Sequence, residues 1–237
     1  MQALDYTALE AIRVSRPRDR IGQIVERARG KRVFDLGALD ETAYASKQDN
    51  DRWLHARLCE VAEEVVGIDN SSLVPPGGLQ TAGNGRIVNA DIFDLSVAVA
   101  HYGKPDLVVA GELIEHLPDT LAFLRSLKAC PGLSGAEFVF STPNACSWHN
   151  ALVGMAGRES THRDHLQIYS YKTLRTLFGR AGIQLELLAP YNVRFDEMIE
   201  SSSGAMRLAV RGFQGGIHML EFIAPVLSAG WVGVARL

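Results

Sequence analysis

The chain is poor in the features that would classify it quickly. It has three cysteines in 237 residues, Cys59, Cys130 and Cys146, at spacings that suit no metal knuckle. An odd number of scattered thiols excludes a disulfide-built fold and fits a reducing compartment. No apolar run approaches the roughly 20 residues that a bilayer span needs. The opening Met1-Gln-Ala-Leu-Asp-Tyr6 has neither a basic start nor an apolar run, so no signal peptide and a cytoplasmic location are expected. Basic residues do not dominate: 24 Lys and Arg stand against 27 Asp and Glu, both signs spread along the chain. That excludes a basic nucleic-acid stripe as well as an acidic tail. No internal repeat and no low-complexity tract is found. Glycine is plentiful, yet the Gly-x-Gly-x-x-Gly loop that wraps a pyrophosphate is missing.

What is present is an alternation of apolar strands and amphipathic helices. Apolar residues make up 47% of the chain, enough to core one α/β domain with an appendage. Residues 1–31 carry Arg13, Arg16, Arg18 and Arg20, then Ile21, Ile24, Val25 and Ala28 at helical spacing. They are read as an N-terminal helical extension, with the main domain over 32–237. Strands are predicted at Val33–Asp35, Val65–Asp69, Arg86–Asp91, Asp106–Gly111, Glu137–Ser141, Ile183–Leu188 and Trp231–Ala235. Helices are predicted around Leu54–Ala62, after Pro118 with Leu121, Leu124 and Leu127 on one face, and from a Ser170 cap through Leu174, Leu177, Phe178 and Ala181. Val74-Pro-Pro-Gly-Gly78 breaks the pattern, so any helix there is short. The polar stretch 38–51 is read as a flap, and 145–169 as a substrate-covering segment. Residues 192–230 form a C-terminal appendage whose piece Ile217–Leu227 is either a core helix or a partner-binding one. Apolar strands separated by helices imply a mostly parallel, doubly wound sheet covered on both faces.

The first three strands each end in an acid: Asp35, Asp69 and Asp91. Ligands of open α/β sheets bind beyond the carboxyl ends of the strands. Three carboxylates at one edge repel one another, which makes sense if a donor-rich ligand sits among them. Asp69 is placed to accept both hydroxyls of a ribose, with Asn70 beside it. Asp91 suits the exocyclic amine of an adenine, with Ile92 against the ring. The turn Asp35-Leu-Gly37 has no glycine series for phosphates, which favours a nucleoside ligand without them.

Five blocks then resemble one family: Val33-Phe-Asp-Leu-Gly37, Val65-Val-Gly-Ile-Asp69, Asp106-Leu-Val-Val-Ala-Gly-Glu-Leu-Ile-Glu-His-Leu117, Phe138-Val-Phe-Ser-Thr-Pro-Asn144 and His165-Leu-Gln-Ile-Tyr-Ser-Tyr-Lys-Thr-Leu174. They resemble the class I S-adenosylmethionine-dependent methyltransferases, in particular the small-molecule group that includes the ubiquinone-biosynthesis type. The resemblance implies S-adenosyl-L-methionine as cofactor and a Rossmann-like sheet of seven strands, the last antiparallel and inserted beside the fifth. It implies that Asp35 and Gly37 line the methionine end, Asp69 the ribose, Asp91 and Ile92 the adenine, and that Gly111 and Glu112 close the pocket. The chain departs from the family where Ala38, Leu39 and Asp40 replace the second and third glycines of the first loop.

The polar run Glu159-Ser-Thr-His-Arg-Asp-His165 lies where substrate enters this fold. Methyl transfer to a hydroxyl requires a proton to leave, and a histidine suits that role. His162 and His165 are the candidates, with Asp164 to orient one of them, and His116 is either catalytic or a loop anchor. Asn144 and His149 are assigned to the substrate wall, and Glu115 to a solvated face. His162-x-x-His165 has no clear third ligand, so no metal is expected. The expected activity is O-methylation of a small sugar, phenol or natural product, by a protein with no membrane span and no nucleic-acid partner, for which a homodimer is compatible. A non-catalytic binding or scaffold protein on the same fold is the alternative, and a nicotinamide oxidoreductase a distant third.

Overall fold

The structure is a computed structural model and describes residues 10–39, 53–159 and 161–237. The flap read over 38–51 therefore lies outside the described residues except for Ala38 and Leu39. The helices and strands run α1 Arg20–Ala28, β1 Arg32–Leu36, α2 Leu54–Cys59, β2 Glu64–Asp69, β3 Leu79–Ala82, β4 Gly85–Asn89, α3 Ser96–Tyr102 and β5 Leu107–Gly111. They continue with α4 Thr120–Ala129, β6 Glu137–Pro143, α5 Trp148–Met155, α6 Tyr171–Ala181, β7 Gln184–Tyr191, α7 Asp196–Ser201, α8 Gly204–Ile223 and β8 Gly230–Arg236. One sheet holds all eight strands in the order β3-β4-β2-β1-β5-β6-β8-β7. The central strands pair in parallel, and β8 is antiparallel to both β6 and β7.

Two layers of helix cover this sheet because its strands alternate faces. Phe34, Leu36, Val66 and Ile68 point to one side, into a core shared with Phe123 and Leu127 of α4 and Leu174 and Phe178 of α6. Val33, Val65, Leu107 and Val109 point to the other, against Ile24, Val25 and Ala28 of α1 and Leu58 of α2. The period of two places Asp35 on the same side as Val33, facing α1 and α2. Helix α1 is thus one of the covering helices, rather than a separate extension. Asp19 caps it by accepting from the Gly22 amide at 2.7 Å. Ser170 and Thr173 form a reciprocal capping box at the start of α6.

Three details differ from the sequence reading. The sheet has eight strands because β3 pairs antiparallel with β4. The strand escaped the pattern because it is an edge whose residues are exposed or half-buried, so it carries no apolar run. The strand expected to end at Asp91 ends at Asn89, and Asp91 stands in the turn beyond, accepting from the Phe93 amide at 2.8 Å. Helix α8 buries one face only, with Val210, Ile217 and Glu221, while Leu208, Met219, Phe222 and Ile223 are exposed.

A cavity at the carboxyl ends of the strands

All the strand-end acids open onto one cavity of about 870 Å³. Its lining includes Asp35, Gly37, Asp69, Asn70, Asp91, Ile92, Gly111 and Glu112 on one side, and His116, His162, Asp164 and His165 on the other. The volume falls within the usual range for ligand sites. Two glycines shape it. Gly37 turns at φ +67°, and a Cβ there would meet Leu113 Cδ1 at 2.9 Å. A Cβ on Gly111 would meet Leu54 Cδ2 at 2.5 Å. Neither position accepts a side chain without displacing a wall of the cavity.

Asp69 is buried and holds the first loop in place. Its Oδ2 accepts from the Leu39 amide at 2.8 Å and its Oδ1 from the Ser71 amide at 2.9 Å. Each carboxylate oxygen accepts more than one hydrogen bond, so these contacts are compatible with further donors from a ligand. The loop's other anchor is the Trp53 indole, which donates to the Ala38 carbonyl at 2.8 Å. Ala38, Leu39, Trp53, Val74 and Ile87 close into a small apolar cluster beneath it.

Glu112 takes the only positive φ of a non-glycine among the described residues, 52°. Such a conformation is costly and persists only where neighbours enforce it. The Tyr191 hydroxyl donates to both carboxylate oxygens at 3.2 Å, and Arg20 Nη1 lies 3.9 Å from Oε1. Burial, then the charge of Glu112, pushes the Tyr191 phenol well above its ordinary range. Arg20 also donates to Ser141 Oγ at 3.2 Å. It is the one guanidinium in the lining among the described residues, and nothing in the arginine-rich stretch distinguished it from its neighbours.

His116, His162 and His165 lie close together in the lining, with one addition. His116 Nδ1 donates to the Asp164 carbonyl at 3.1 Å. The ring centroids of His116 and His165 are 4.6 Å apart, and those of His162 and His165 5.6 Å. His162 Nδ1 is 3.6 Å from Asp164 Oδ2 in an exposed pair. Burial, reinforced by the neighbouring His116 and His162, holds His165 below the ordinary histidine range. The addition is Glu115. Expected on a solvated face, it is fully buried. Its Oε2 accepts from Thr142 Oγ1 at 3.0 Å, and its Oε1 has no hydrogen-bond partner among the described residues. Burial, helped by the charge of Glu112, pushes this carboxyl well above the usual carboxylate range. Ligand atoms of Glu115, His116 and His165 all lie within 4.8 Å of one another. This set pairs His165 with Glu115 and His116 and leaves His162 out. The short 3₁₀ turn over Ile114–His116 turns Glu115 inward, which no spacing rule anticipates.

Two expected substrate contacts are elsewhere. Asn144 is fully buried and does not line the cavity. Its amide donates to the carbonyls of Val226 and Ser228 at 2.8 and 2.9 Å, and its Oδ1 accepts from the Cys146 amide. The residue ties β6 to the segment before β8. His149 packs against Trp148 on α5, also outside the lining. His55 and Trp53, by contrast, line the cavity without having been assigned to it.

Residues 10–188 match the family model described as the methyltransferase domain. The chain belongs to that family. Its cofactor is S-adenosylmethionine. Solved structures of methyltransferases share the fold. One is a SAM-dependent methyltransferase from Archaeoglobus fulgidus, 13% identical, covering 92% of this chain and 91% of that one with a TM-score of 0.53. Magnesium protoporphyrin IX methyltransferase from Synechocystis PCC 6803 is 13% identical, covers 91% and 81%, and gives 0.54. The methyltransferase domain of bacterial CtHen1-CN is 17% identical, covers 92% and 97%, and gives 0.51. Comparison with curated proteins gives no match. In this methyltransferase domain no described helix is long and apolar enough to cross a membrane.

Proposed function

We propose that this protein methylates a hydroxyl of a small molecule, held between the strand-end acids and the histidine cluster of the one cavity. The observation that carries the reading is the convergence of His116, His162 and His165 on the same cavity as Asp35, Asp69 and Asp91. When bound, S-adenosylmethionine supplies an electrophilic methyl group on a positively charged sulfur. Asp69 and Asp91 would hold its nucleoside and Asp35 with Gly37 its methionine end, a placement that the open turn and the acid-rich wall suit. Arg20, between Glu112 and Ser141, is the lining cation able to face a carboxylate. His165, held neutral, would accept the hydroxyl proton as the oxygen–carbon bond forms and the carbon–sulfur bond breaks. Alignment of acceptor and donor in a walled cavity supplies much of the remaining rate. The acidic lining supports a small neutral acceptor over a polyanion, in line with the resemblance to the ubiquinone-biosynthesis group.

A second reading of the same cluster is favoured by one atom, the unpartnered Oε1 of Glu115. A divalent cation held by Glu115, His116 and His165 would satisfy that oxygen. The His116 Nδ1 proton, committed to the Asp164 carbonyl, leaves Nε2 unprotonated in the neutral ring, as a metal ligand requires. In this reading Glu115, His116 and His165 would hold a cation that supplies a Lewis acid, and His162 would be the remaining base.

The test is calorimetry with S-adenosylhomocysteine, followed by transfer of labelled methyl to a panel of sugars, catechols and phenols, with and without chelator and added Mn²⁺. Saturable heat and label in a hydroxyl are expected. Binding without transfer to any acceptor would favour the scaffold alternative. Activity indifferent to chelator would remove the cation.

A further inference from the structure

Behind the cofactor side of the cavity lies a chain of buried polar groups that cofactor contact alone does not explain. Asp35, at the end of β1, points to the face covered by α2, where His55 is fully buried. His55 Nδ1 donates to Asp35 Oδ2 at 3.0 Å. Its Nε2 lies 2.8 Å from Thr81 Oγ1. Cys59, one turn along α2, is within hydrogen-bonding reach as well. Thr81 belongs to β3, the edge strand that a seven-stranded sheet would lack. It does not line the cavity, whereas Asp35 and His55 do. The ring is packed from beneath by β2, where a Cβ on Gly67 would come within 3.0 Å of its Cε1. The other charged residues of the same lining are Asp69, Asp91, Glu112, Asp164 and Arg20.

Burial alone would push the imidazole down. The hydrogen bond and charge of Asp35 outweigh it and lift His55 to about 9. At neutral pH the ring is a cation, and both nitrogens donate. A buried cation of this kind needs its partner, and Asp35 is correspondingly held by one oxygen.

We propose that His55 is a positioning residue for the cofactor: it fixes the Asp35 carboxylate at the methionine end and is itself fixed by Thr81 of the added edge strand. The inference rests on the cofactor assignment above and assigns β3 a role in it. The first loop has lost two glycines and is held by side chains instead. Trp53 and Asp69 anchor Ala38 and Leu39, and His55 anchors Asp35. Asp35 directs its carboxylate because a donor on α2 selects one orientation, and α2 presents that donor because Thr81 takes the ring's far nitrogen.

The experiment is calorimetric titration of S-adenosylhomocysteine at pH 7.5 into wild type, His55→Asn, His55→Gln and Thr81→Val, with Tm measured for each. The asparagine amide nitrogen sits where Nδ1 sits and keeps a donor for Asp35; the glutamine amide reaches the Nε2 position and loses it. His55→Gln is expected to weaken binding about tenfold or more, as loss of a hydrogen bond to a charged group implies, and His55→Asn, which keeps the donor to Asp35 and loses only the contact to Thr81, by about as much as Thr81→Val. Thr81→Val leaves every side chain of the lining in place and is expected to weaken binding several-fold. Equal affinities of the Asn and Gln variants overturn the proposal, as do affinities that follow Tm. Wild-type affinity in Thr81→Val overturns it too, and decides the matter if a His55 variant does not fold. No heat with wild type removes the cofactor assignment and the proposal together, whereas wild-type binding with unaffected variants removes the proposal alone.

Discussion

The Asp35–His55 pair makes stability depend on pH in a direction opposite to that of ordinary acidic ion pairs. His55 titrates at about 9 in the folded protein against 6.5 for a free imidazole. Because the folded value is the higher one, the native state binds the proton more tightly. The stabilisation is therefore complete below pH 6.5 and disappears as pH rises through about 9. Its full size is about 3 kcal/mol, from 1.36 kcal/mol for each pH unit separating the two values. Roughly 2 kcal/mol of it remains at pH 7.5, and almost none at pH 9.5. The pair is buried on both sides, so solvent screening does not reduce it. Other groups also titrate over this range, so the quantity to measure is the difference between wild type and His55→Asn. Urea unfolding at pH 6.0, 7.5 and 9.5 supplies it. The gap between the two proteins is expected to close by about 3 kcal/mol from the lowest to the highest pH. Parallel stability curves would refute the reasoning and show that His55 is buried neutral. A gap that widens with pH would refute it more severely, because it reverses the sign.

Other expectations concern single side chains. Asp69→Ala should weaken S-adenosylhomocysteine by at least about tenfold in a calorimetric titration, because it removes a strand-end acceptor and frees the Leu39 amide together; unchanged affinity would take Asp69 out of the site. His165→Ala should lower turnover by about a hundredfold or more while leaving cofactor affinity within about twofold, and the reverse pattern would reject its place at the acceptor. Glu221 is fully buried and accepts from Asn192 Nδ2 and from the amides of Val193 and Ala229. Replacing it with Ala strands three donors and should cost about 3–5 kcal/mol in urea unfolding, with a loss under about 1 kcal/mol counting against the clamp. Phe178→Ala, in a fully buried ring stacked 4.7 Å from Phe140, should cost about 3–5 kcal/mol by the same assay.

The parts legible in the sequence were those written as local pattern. Parallel strands buried on both faces, such as Val65–Asp69, are continuous apolar runs, and their final acids stand where the chain leaves the sheet. Ser170, the residue before α6, announces the start of that helix. What stayed hidden depends on residues far apart. Nothing in Leu54-His-Ala-Arg57 says that His55 meets Asp35 twenty positions earlier and Thr81 on another strand. Glu115 sits in a polar turn, and only the 3₁₀ geometry turns it inward. Asn144 was misplaced for a related reason: an amide beside a proposed site suits a ligand and a backbone clamp equally, and its partners near Val226 come from the far end of the chain. The helix over 204–223 has a core composition, yet only Val210, Ile217 and Glu221 of it are buried.

The loop after Gly37 shows how the departures fit together. Glycines let a loop approach a ligand by removing side chains, and they do so at a cost in chain entropy. Here the loop keeps Gly37, where φ is positive, and fills the next two positions with Ala38 and Leu39, both buried. Their side chains pack into the cluster with Trp53, Val74 and Ile87 at the edge of the cavity. That direction is enforced twice, by the indole on the Ala38 carbonyl and by Asp69 on the Leu39 amide. A loop held this way gives up less freedom when a ligand arrives, so a fixed apolar anchor and a permissive glycine series are alternative routes to the same backbone course. The anchor requires support from outside the loop, supplied by Trp53, the residue that precedes α2, and by His55 in its first turn. The same segment is braced by Thr81 on β3, so the added strand, the lost glycines and the buried histidine are three parts of one arrangement.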